Sequence, residues 1–399
     1  MKLLMIMGRY PFPPRTGSAN VAYNHIRELS KRHSVHLVCE DSPKDLGDVA
    51  DFAEHVEIIG GNDLPALIKR VRALFYLALG IPTAVTLHKS REMSNRVATL
   101  IEYERFDAVL IYEMTSIQFC PPVAYKRAIV NIEDPQSMRL SRMMGLSVWS
   151  LMERARLFVS ATLTARYEKR LLGEMGKVLV LSEADMSDMR KAGAPYNLGQ
   201  VSYGVESRNP LEIVPFEHRY EDMVVFSGNM YHPPNVDAAL FFLQRIFPLV
   251  LDRKPTATFW IVGAEPDARI GRASARFGDR VRITGQVNDV TAYLRRARVS
   301  VCPVRLKIGV QTKILEALSW GTPVVTTSAG NSGVGGRHGI DLWVDDDPGE
   351  FASRVVALLQ GKDWARLSED GRKLVTDRFS WKRSIAQLEQ HIELLHSDR

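Results

Sequence analysis

The chain of 399 residues is poor in cysteine, and its three cysteines, Cys39, Cys120 and Cys302, form no CxxC pair. A sparse, odd number of this kind excludes a disulfide framework and indicates a reducing compartment. Apolar runs approaching the roughly 20 residues of a membrane-spanning helix are missing as well. The apolar start at residues 1–7 is too short for a signal peptide, because charged residues follow from Arg9. We therefore expect a cytoplasmic protein that rests, at most, on the inner face of the membrane.

Three ligand-binding motifs are also missing. No GxGxxG follows the first apolar run of either half, which argues against a dinucleotide redox cofactor, and no GxxxxGK[ST] signals a P-loop. No DxD pair stands at the end of a predicted strand, and Asp345, Asp346 and Asp347 fall in a late loop typical of surface. The sequence thus predicts no cofactor and no metal.

The net charge of +6 is a mild excess, with a pI near 9.1. It suits anionic ligands such as nucleotide diphosphates, or an anionic membrane surface, and an ordinary basic surface is the alternative. The charge is too dispersed to indicate nucleic acid.

Apolar runs of strand length alternate with segments of helical periodicity in both halves. The first half opens with a strand at Lys2–Met7, a proline-rich loop, a helix at 20–32 and a strand at 35–39, and a long helix is predicted at 138–175. A polar, proline-containing stretch at 207–222 separates this half from a second series that starts at residue 223. The pattern predicts an α/β protein with two doubly wound, Rossmann-like domains facing a central cleft.

Glycines follow several of the predicted strands. In open α/β sheets ligands bind outside the carboxyl ends of the strands, where glycine lets them approach the backbone and helix N-termini attract phosphates. A single glycine is more often only a turn residue, so the recurrence at equivalent places is the useful signal. The glycines concerned are Gly17, Gly228, Gly263 and Gly285.

The densest cluster of candidate ligand groups lies at residues 303–317. Arg305 and Lys313 supply cations around a loop with Gly309, and Thr312 stands near the start of a predicted helix, whose backbone N–H groups favour an anion. Glu316 follows Lys313 by three residues on the same helical face, where a carboxylate can accept both hydroxyls of a ribose. An internal ion pair between Lys313 and Glu316 is the alternative.

Residues 301–334, VCPVRLKIGVQTKILEALSWGTPVVTTSAGNSGV, resemble the donor-binding signature of glycosyltransferase family 4, the group 1 transferases of GT-B fold. Segments such as GRYPFPPRTGSANV, VLVLSEADMSDM, FSGNMYHPPNV and VRITGQVNDV follow in the family's order, so the resemblance covers nearly the whole chain. It looks most like the bacterial branch that builds exopolysaccharide or related surface glycans.

The resemblance implies an acceptor-binding domain at 1–206, a linker at 207–222, a nucleotide-sugar-binding domain at 223–378, and a final helix at 379–399 that packs back on the first domain. It also implies a metal-independent hexosyltransferase that retains the anomeric configuration. The donor would be a UDP- or GDP-linked sugar, and the acceptor a glycan or a lipid-linked glycan. The alternatives are a relative that binds nucleotide sugar without transfer, and a nucleotide-sugar epimerase.

The resemblance assigns roles to individual residues. Glu316 matches the glutamate that holds the donor ribose, and Arg305 and Lys313 match basic positions near the diphosphate, whereas Ile308 stands where the family's other glutamate is expected. The resemblance also matches further positions to donor contacts, namely Gly17, Gly285, Gln286, Gly330, Asn331, Ser332 and Gly333. The strand ends and the cluster at 303–317 add the predicted donor contacts Gly228, Asn229, Gly263, Gly309 and Thr312.

Catalysis requires stabilisation of the charge that builds on the leaving diphosphate, and preorganised cations supply it. Arg305 and Lys313 are the candidates for this role. Glu113 or Asp134, which follow the strands predicted at 108–111 and 128–132, would orient or deprotonate the acceptor hydroxyl. Basic, aromatic helices predicted at 67–79 and 138–170 suit docking on lipid headgroups, and ordinary amphipathic packing is the alternative.

Overall fold

The structure is a computed structural model that describes residues 1–14, 16–40, 47–60, 68, 71, 80–82, 85, 90–146, 148–194, 196–206 and 208–397. The chain divides into two units. The first comprises Met1–Ser141, Glu153–Gly204 and Trp381–Arg399, and the second comprises Arg142–Met152 and Val205–Ser380.

The first unit contains a seven-stranded parallel sheet in the order β3-β2-β1-β4-β5-β6-β7. Its strands are short apolar runs, as expected for strands covered on both faces by helices. The strand order reverses between β1 and β4, which makes their carboxyl ends the switch point at which doubly wound sheets bind ligands. The strands are β1 (Lys2–Met7), β2 (Ser34–Glu40), β3 (His55–Ile59), β4 (Ala108–Tyr112), β5 (Ala128–Glu133), β6 (Lys177–Val180) and β7 (Leu198–Gln200).

The helices of this part of the chain begin at side-chain caps where the sequence offers them. Thr16 Oγ1 accepts from the Ala19 backbone N–H (3.2 Å), and Ser182 Oγ accepts from that of Asp185 (3.0 Å), satisfying donors that a helix start leaves unpaired. The helices are α1 (Gly17–Leu29), α2 (Val49–Phe52), α3 (Arg91–Tyr103), α4 (Gln136–Met143), α5 (Leu151–Leu172), α6 (Glu183–Lys191) and the C-terminal α15 (Trp381–Ser397).

The single long helix predicted at 138–175 is wrong, since α4 and α5 are separate helices. The Gly145 N–H donates to the Arg142 carbonyl (3.1 Å), an i to i−3 bond that tightens and ends α4, and the chain resumes as a helix at Leu151. The helix predicted at 67–79 lies, except for residues 68 and 71, outside the described residues.

The second unit contains a six-stranded parallel sheet in the order β10-β9-β8-β11-β12-β13. Its strands are β8 (Met223–Ser227), β9 (Thr258–Val262), β10 (Val281–Ile283), β11 (Val299–Cys302), β12 (Val324–Thr326) and β13 (Trp343–Val344). The helices are α7 (Pro233–Phe241), α8 (Phe247–Arg253), α9 (Ala268–Ser274), α10 (Thr291–Arg296), α11 (Thr312–Ser319), α12 (Ser328–Asn331), α13 (Pro348–Leu359) and α14 (Trp364–Arg378). Two parallel sheets with alternating helices confirm the predicted pair of Rossmann-like domains.

Phenylalanine rings build part of the core of the second unit. Phe242 lies 4.4 Å from Phe259 and 6.1 Å from Phe351 between ring centroids, and all three side chains are fully buried. The continuous helical stretch Pro233–Arg253, which includes Phe242, has the length and hydropathy to cross a membrane, yet 61% of its apolar window is buried inside the protein. Its packing is that of a core helix.

The stretch predicted as a linker packs on the second unit. Arg219 is buried, and its guanidinium donates to the carbonyls of Val214 (2.9 Å), Ala297 (2.8 Å) and Trp320 (3.0 Å). These bonds satisfy a buried cation with backbone acceptors. Arg219 therefore ties the segment 208–222 to the second unit.

Candidate functional site

A cavity of about 590 Å³ opens in the first unit at the carboxyl ends of β1, β4 and β5. Its wall includes Met7 at the end of β1, Ser18 at the start of α1, Met114 after β4 and Ile132 in β5. This volume falls in the range of small-molecule sites, and the position is the switch point of the sheet.

Three carboxyl groups line this cavity: Glu113, Glu133 and Asp134. Glu113 Oε1 accepts a hydrogen bond from Ser18 Oγ at 2.6 Å, and Asp134 Oδ1 lies 3.5 Å from Arg139 Nη1. Glu133 Oε1 is buried and has no hydrogen-bond partner among the described residues. The structure thus brings together both predicted acceptor-side carboxylates and adds a third that sequence reasoning did not select.

The backbone at two of these residues is unusual. Glu113 has φ 67° and Glu133 has φ 59°, a region that residues other than glycine rarely adopt. Main-chain bonds hold both: the Glu113 N–H donates to Asn131 O (3.0 Å), and Glu133 O accepts from the Leu181 N–H (3.0 Å). Such strain persists where the surrounding structure enforces it, and it concentrates at functional sites.

The environment of Glu133 favours its protonated form. Burial raises the pKa of Glu133 to about 8, and the neighbouring charges of Asp134 and Glu113 act in the same direction. Arg139 opposes the shift because its positive charge favours the carboxylate. A carboxyl group that exchanges its proton near neutral pH can act as a general acid or base.

In the second unit the predicted donor loops meet around Lys313. Its Nζ donates to Asn235 Oδ1 (3.2 Å) and to Gln311 Oε1 (3.0 Å), and it lies 5.8 Å from the ring centroid of Phe226. Asn235 Nδ2 in turn donates to the Asn229 carbonyl (3.0 Å). The ammonium group is therefore held by neutral oxygens beneath the turn that follows β8.

Glycine is required in this turn. A Cβ on Gly228 would lie 2.9 Å from Asn235 Nδ2 and 3.2 Å from Lys313 Cε, and one on Gly263 would lie 1.8 Å from the Gly228 carbonyl oxygen. The ends of β8 and β9 thus touch through their backbones above Lys313.

The other glycine-rich loops of the signature also touch. A Cβ on Gly333 would lie 2.0 Å from the Gly309 carbonyl oxygen, and one on Gly330 would lie 2.3 Å from Thr326 Oγ1. Asn331 bonds the backbone of Gly336 through both ends of its amide, at 2.8 and 2.9 Å. These contacts give Gly330 and Gly333 a packing reason to be glycine. The predicted donor contacts of Gly309, Gly330, Asn331, Ser332 and Gly333 stay predictions.

Glu316 lies on α11, one turn after Lys313. Burial raises the pKa of Glu316, while the charges of Lys313 and Arg208 act against that rise. Within the described ranges no ion pair joins Lys313 to Glu316, so the internal pair considered as the alternative is not formed there. The Glu316 carboxylate keeps the capacity to accept hydrogen bonds from a ligand.

Arg305 contacts a different helix. Its Nε donates to Asp237 Oδ2 (2.9 Å), its Nη2 donates to Asp237 Oδ1 (2.5 Å), and its guanidinium stacks 4.8 Å from the ring centroid of Phe241. Asp237 is 1% exposed. Together with Arg245 and Arg269 these residues line a separate cavity of about 370 Å³. The predicted role of Arg305 at the diphosphate stays a prediction.

The remaining predicted donor contacts are dispersed. Gly285 turns the chain after β10 with φ 67°, and Gln286 next to it is exposed. Thr312 is the first residue of α11. Gly17 begins α1 in the first unit, where a Cβ would lie 3.6 Å from Glu133 Oε2. Gly17 therefore belongs with the carboxylate cavity.

The family described as Glycosyl transferases group 1 matches residues 221–361. The second unit contains a group 1 glycosyltransferase domain. The match includes Lys313, Glu316 and the glycine loops around them, and it confirms the resemblance seen in the sequence. A curated relative, an uncharacterised 44.6 kDa protein in the cps region of Klebsiella pneumoniae, is 25% identical over 152 residues. That alignment covers 36% of this chain and 39% of the relative's length.

Solved structures match the whole chain. Anabaena Alr3699/HepE in complex with UDP and glucose has a TM-score of 0.66 at 13% identity and covers 98% of this chain and 99% of its own. Sucrose-phosphate synthase from Thermosynechococcus elongatus has a TM-score of 0.70 at 15% identity, with 100% of both chains covered. A glycosyltransferase from Rickettsia africae has a TM-score of 0.63 at 11% identity, and the match covers 100% of this chain and 98% of the Rickettsia chain. At these identities the likeness establishes the fold, which is GT-B.

Proposed function

We propose that this protein is a glycosyltransferase that moves a sugar from a nucleotide-sugar donor to a glycan or lipid-linked acceptor in the synthesis of a surface polysaccharide. The observation that carries the proposal is the Lys313 ammonium, held by Asn235 and Gln311 beneath a glycine turn inside the group 1 segment. Support for the substrate class comes from HepE, which binds UDP and glucose, and support for the pathway class from the cps-region relative.

Lys313 would stabilise the charge that develops on the leaving diphosphate. Its amide partners orient the ammonium without neutralising it, and preorganised donors of this kind act without reorganisation during the reaction. Glu316, one turn later, would accept the ribose hydroxyls of a UDP- or GDP-linked sugar. No metal is assigned a role, and transfer would proceed with retention.

The cavity of the first unit would receive the hydroxyl end of the acceptor. Its lining offers carboxyl oxygens, which accept hydrogen bonds, and the Thr16 and Ser18 hydroxyls, which donate and accept them. A ligand with many hydroxyl groups can bond to both kinds of group. Glu113, Glu133 and Asp134 stand there at the carboxyl ends of the central strands.

Peripheral membrane contact is part of the proposal. On α5, Phe158 is 61% exposed and Val159 is 48% exposed, and the exposed Arg156 and Arg166 lie on the same helix. Apolar side chains beside cations on one exposed helix suit the interface of an anionic membrane. A lipid-linked acceptor would be presented there, on the cytoplasmic side.

A thermal-unfolding screen with UDP-glucose, UDP-N-acetylglucosamine and GDP-mannose tests donor binding, because a ligand at 100 times its Kd adds about 2.7 kcal/mol of apparent stability. We expect one nucleotide class to stabilise the protein, and Lys313→Met to remove that effect while the exposed Lys362→Met retains it. Stabilisation by none of the compounds would overturn the proposal.

A binding relative without transfer is the second candidate, because Ile308 stands where the family carries a glutamate. Donor binding without release of nucleotide diphosphate in the presence of membrane-extracted acceptors would select it. An epimerised free sugar formed without acceptor would select an epimerase instead.

A further inference from the structure

The cavity of about 370 Å³ in the second unit has a cationic lining. Its wall includes three guanidinium groups, one carboxylate, one amide and a few apolar side chains. Val148, which also lines it, belongs to the same unit. The charged residues of the lining are Arg245, Arg269, Arg305 and Asp237. Three cations against one anion leave the lining with a net charge of +2, which favours an anionic ligand.

The three guanidinium groups differ in the partners that they already have. Arg269 is held on both sides, because it bonds Asp267 through Nε (2.8 Å) and Nη2 (2.8 Å) and a backbone carbonyl through Nη1 (2.9 Å). Arg305 bonds Asp237 through Nε and Nη2. Arg245 is exposed, and it makes no hydrogen bond or ion pair in the part of the chain that the structure describes. Arg245 therefore offers all its N–H donors to a ligand, beside two guanidinium groups that are already oriented.

An irregular turn of helix brings Arg245 to the cavity. The residues Phe242–Ile246 form a π-helical turn between α7 and α8, and the Phe247 N–H donates to a carbonyl five residues earlier. Pro248 accounts for this turn, because its nitrogen has no hydrogen to donate and its ring disrupts a regular α-helix. Gln244 and Arg245 belong to the turn, and both line the cavity. Single π-helical turns inside α-helices are frequent at functional sites.

The cavity is separate from the turn that holds Lys313. Asn235, which accepts a hydrogen bond from Lys313 Nζ, lies in the first turn of α7, and Arg245 follows it by ten residues. At a helical rise of 1.5 Å per residue, about 15 Å along the helix separates the two residues. Lys313 is not part of the cavity lining. A ligand on Arg245 would therefore leave the predicted diphosphate position at Lys313 open.

We propose that this cavity binds a phosphorylated saccharide, whose phosphate group bonds to Arg245 and Arg305. A tetrahedral phosphate accepts bonds from guanidinium groups that approach in different planes, whereas a single arginine satisfies a planar carboxylate. The volume of about 370 Å³ lies within the range of small-molecule sites and leaves room for a sugar beside the phosphate. Leu240 and Phe241 offer that sugar an apolar surface, and the Gln244 amide can donate to and accept from its hydroxyls.

The test is calorimetric titration of the wild type, Arg245→Met and Arg272→Met with glucose 1-phosphate and glucose 6-phosphate. Arg272 is a matched control, because it is an exposed arginine of α9 outside the cavity lining. We expect the wild type to bind a sugar phosphate more tightly than glucose or inorganic phosphate. Arg245→Met should weaken this binding by roughly 10–100-fold, the range for loss of a charged hydrogen-bond donor, and Arg272→Met should retain it.

Arg245→Lys provides a second variant, which keeps the charge and loses the planar pair of donors. Its affinity should lie between those of the wild type and Arg245→Met. Equal affinity of the wild type and Arg245→Met, or no binding of either sugar phosphate to the wild type, would overturn the site. None of these titrations requires sugar transfer, so such a failure would leave the proposed function standing.

Further arms of the titration identify the source of the phosphate. Saturating UDP and the variant Lys313→Met should both leave the affinity for sugar phosphate unchanged. Displacement by UDP, or loss of binding in Lys313→Met, would overturn the proposal by placing the phosphate at the donor turn. Equal affinity for inorganic phosphate would overturn the assignment of a saccharide. Binding of phosphatidic acid vesicles that Arg245→Met abolishes, without binding of sugar phosphate, would show a lipid headgroup in its place.

Discussion

Replacement of Glu133 by glutamine should make the protein more stable above neutral pH. The folded-state pKa of Glu133 lies near 8, above the ordinary value of 4.5, so its ionisation disfavours the folded state. The sign follows from proton linkage. The contribution of protonated Glu133 to the free energy of unfolding is fully present below pH 4.5, where the folded and the unfolded protein both hold the proton. That contribution is lost as the pH rises through 8. A rise from 4.5 to about 8 corresponds to roughly 5 kcal/mol, at about 1.36 kcal/mol per pKa unit.

Water that enters the cavity lowers this penalty, and we expect the glutamine variant to gain roughly 2–5 kcal/mol at pH 9. Urea unfolding at pH 4, 6, 7.5 and 9, read as the difference between variant and wild type, isolates the residue from other titrating groups. Glu102→Gln, an exposed carboxylate in the same unit, should give a flat difference. A difference for Glu133→Gln that is equally flat, or that favours the wild type at pH 9, would refute the assignment of a buried carboxyl with a raised pKa.

Three further changes test the remaining features. Lys313→Met should lower kcat/KM by about 10²–10³-fold, which is the effect of losing one preorganised hydrogen-bond donor. The control Lys362→Met should leave kcat/KM unchanged. Both values are measured from the steady-state release of nucleotide diphosphate. Glu316→Gln should weaken nucleoside diphosphate binding by roughly 10–100-fold, because a charged acceptor of about 1.5–3 kcal/mol is lost, and calorimetry with UDP and with phosphate alone separates the ribose contribution. Phe158→Glu should reduce co-sedimentation with phosphatidylglycerol vesicles, whereas Val123→Glu, at a position that is even more exposed, should leave it unchanged.

The fold was accessible from the sequence because its signals are local. Apolar runs such as Lys2–Met7 and Val299–Cys302 occupy buried parallel strands, and each is followed by the loop expected of a βα unit. The exception is the break between α4 and α5. Helical periodicity continues across it, and a glycine inside a helical pattern does not by itself reveal whether the helix ends there.

The candidate site was accessible only in part, because its partners are distant in sequence. Arg305 and Asp237 are 68 residues apart, and their pairing depends on how α7 packs beside the end of β11. The environment of Glu133 depends on its positive φ and on the hydrogen bond that Ser18 donates to Glu113. Neither feature can be predicted from a single sequence. The sequence did offer a Glu-Asp pair directly after an apolar strand, and the structure places both Glu133 and Asp134 in the wall of the cavity.

The difference between Lys313 and Arg305 follows from the chemistry of their partners. Arg305 is paired in two bonds with the buried carboxylate of Asp237, whose negative charge offsets that of the guanidinium. Lys313 is held by two amide oxygens, and in the part of the chain that the structure describes no carboxylate lies within ion-pair distance of it. Amide oxygens orient a cation and leave its field intact, which is what a developing phosphate charge requires. Under the proposed function we therefore expect Lys313, rather than Arg305, to be the cation of the signature that stabilises the leaving group.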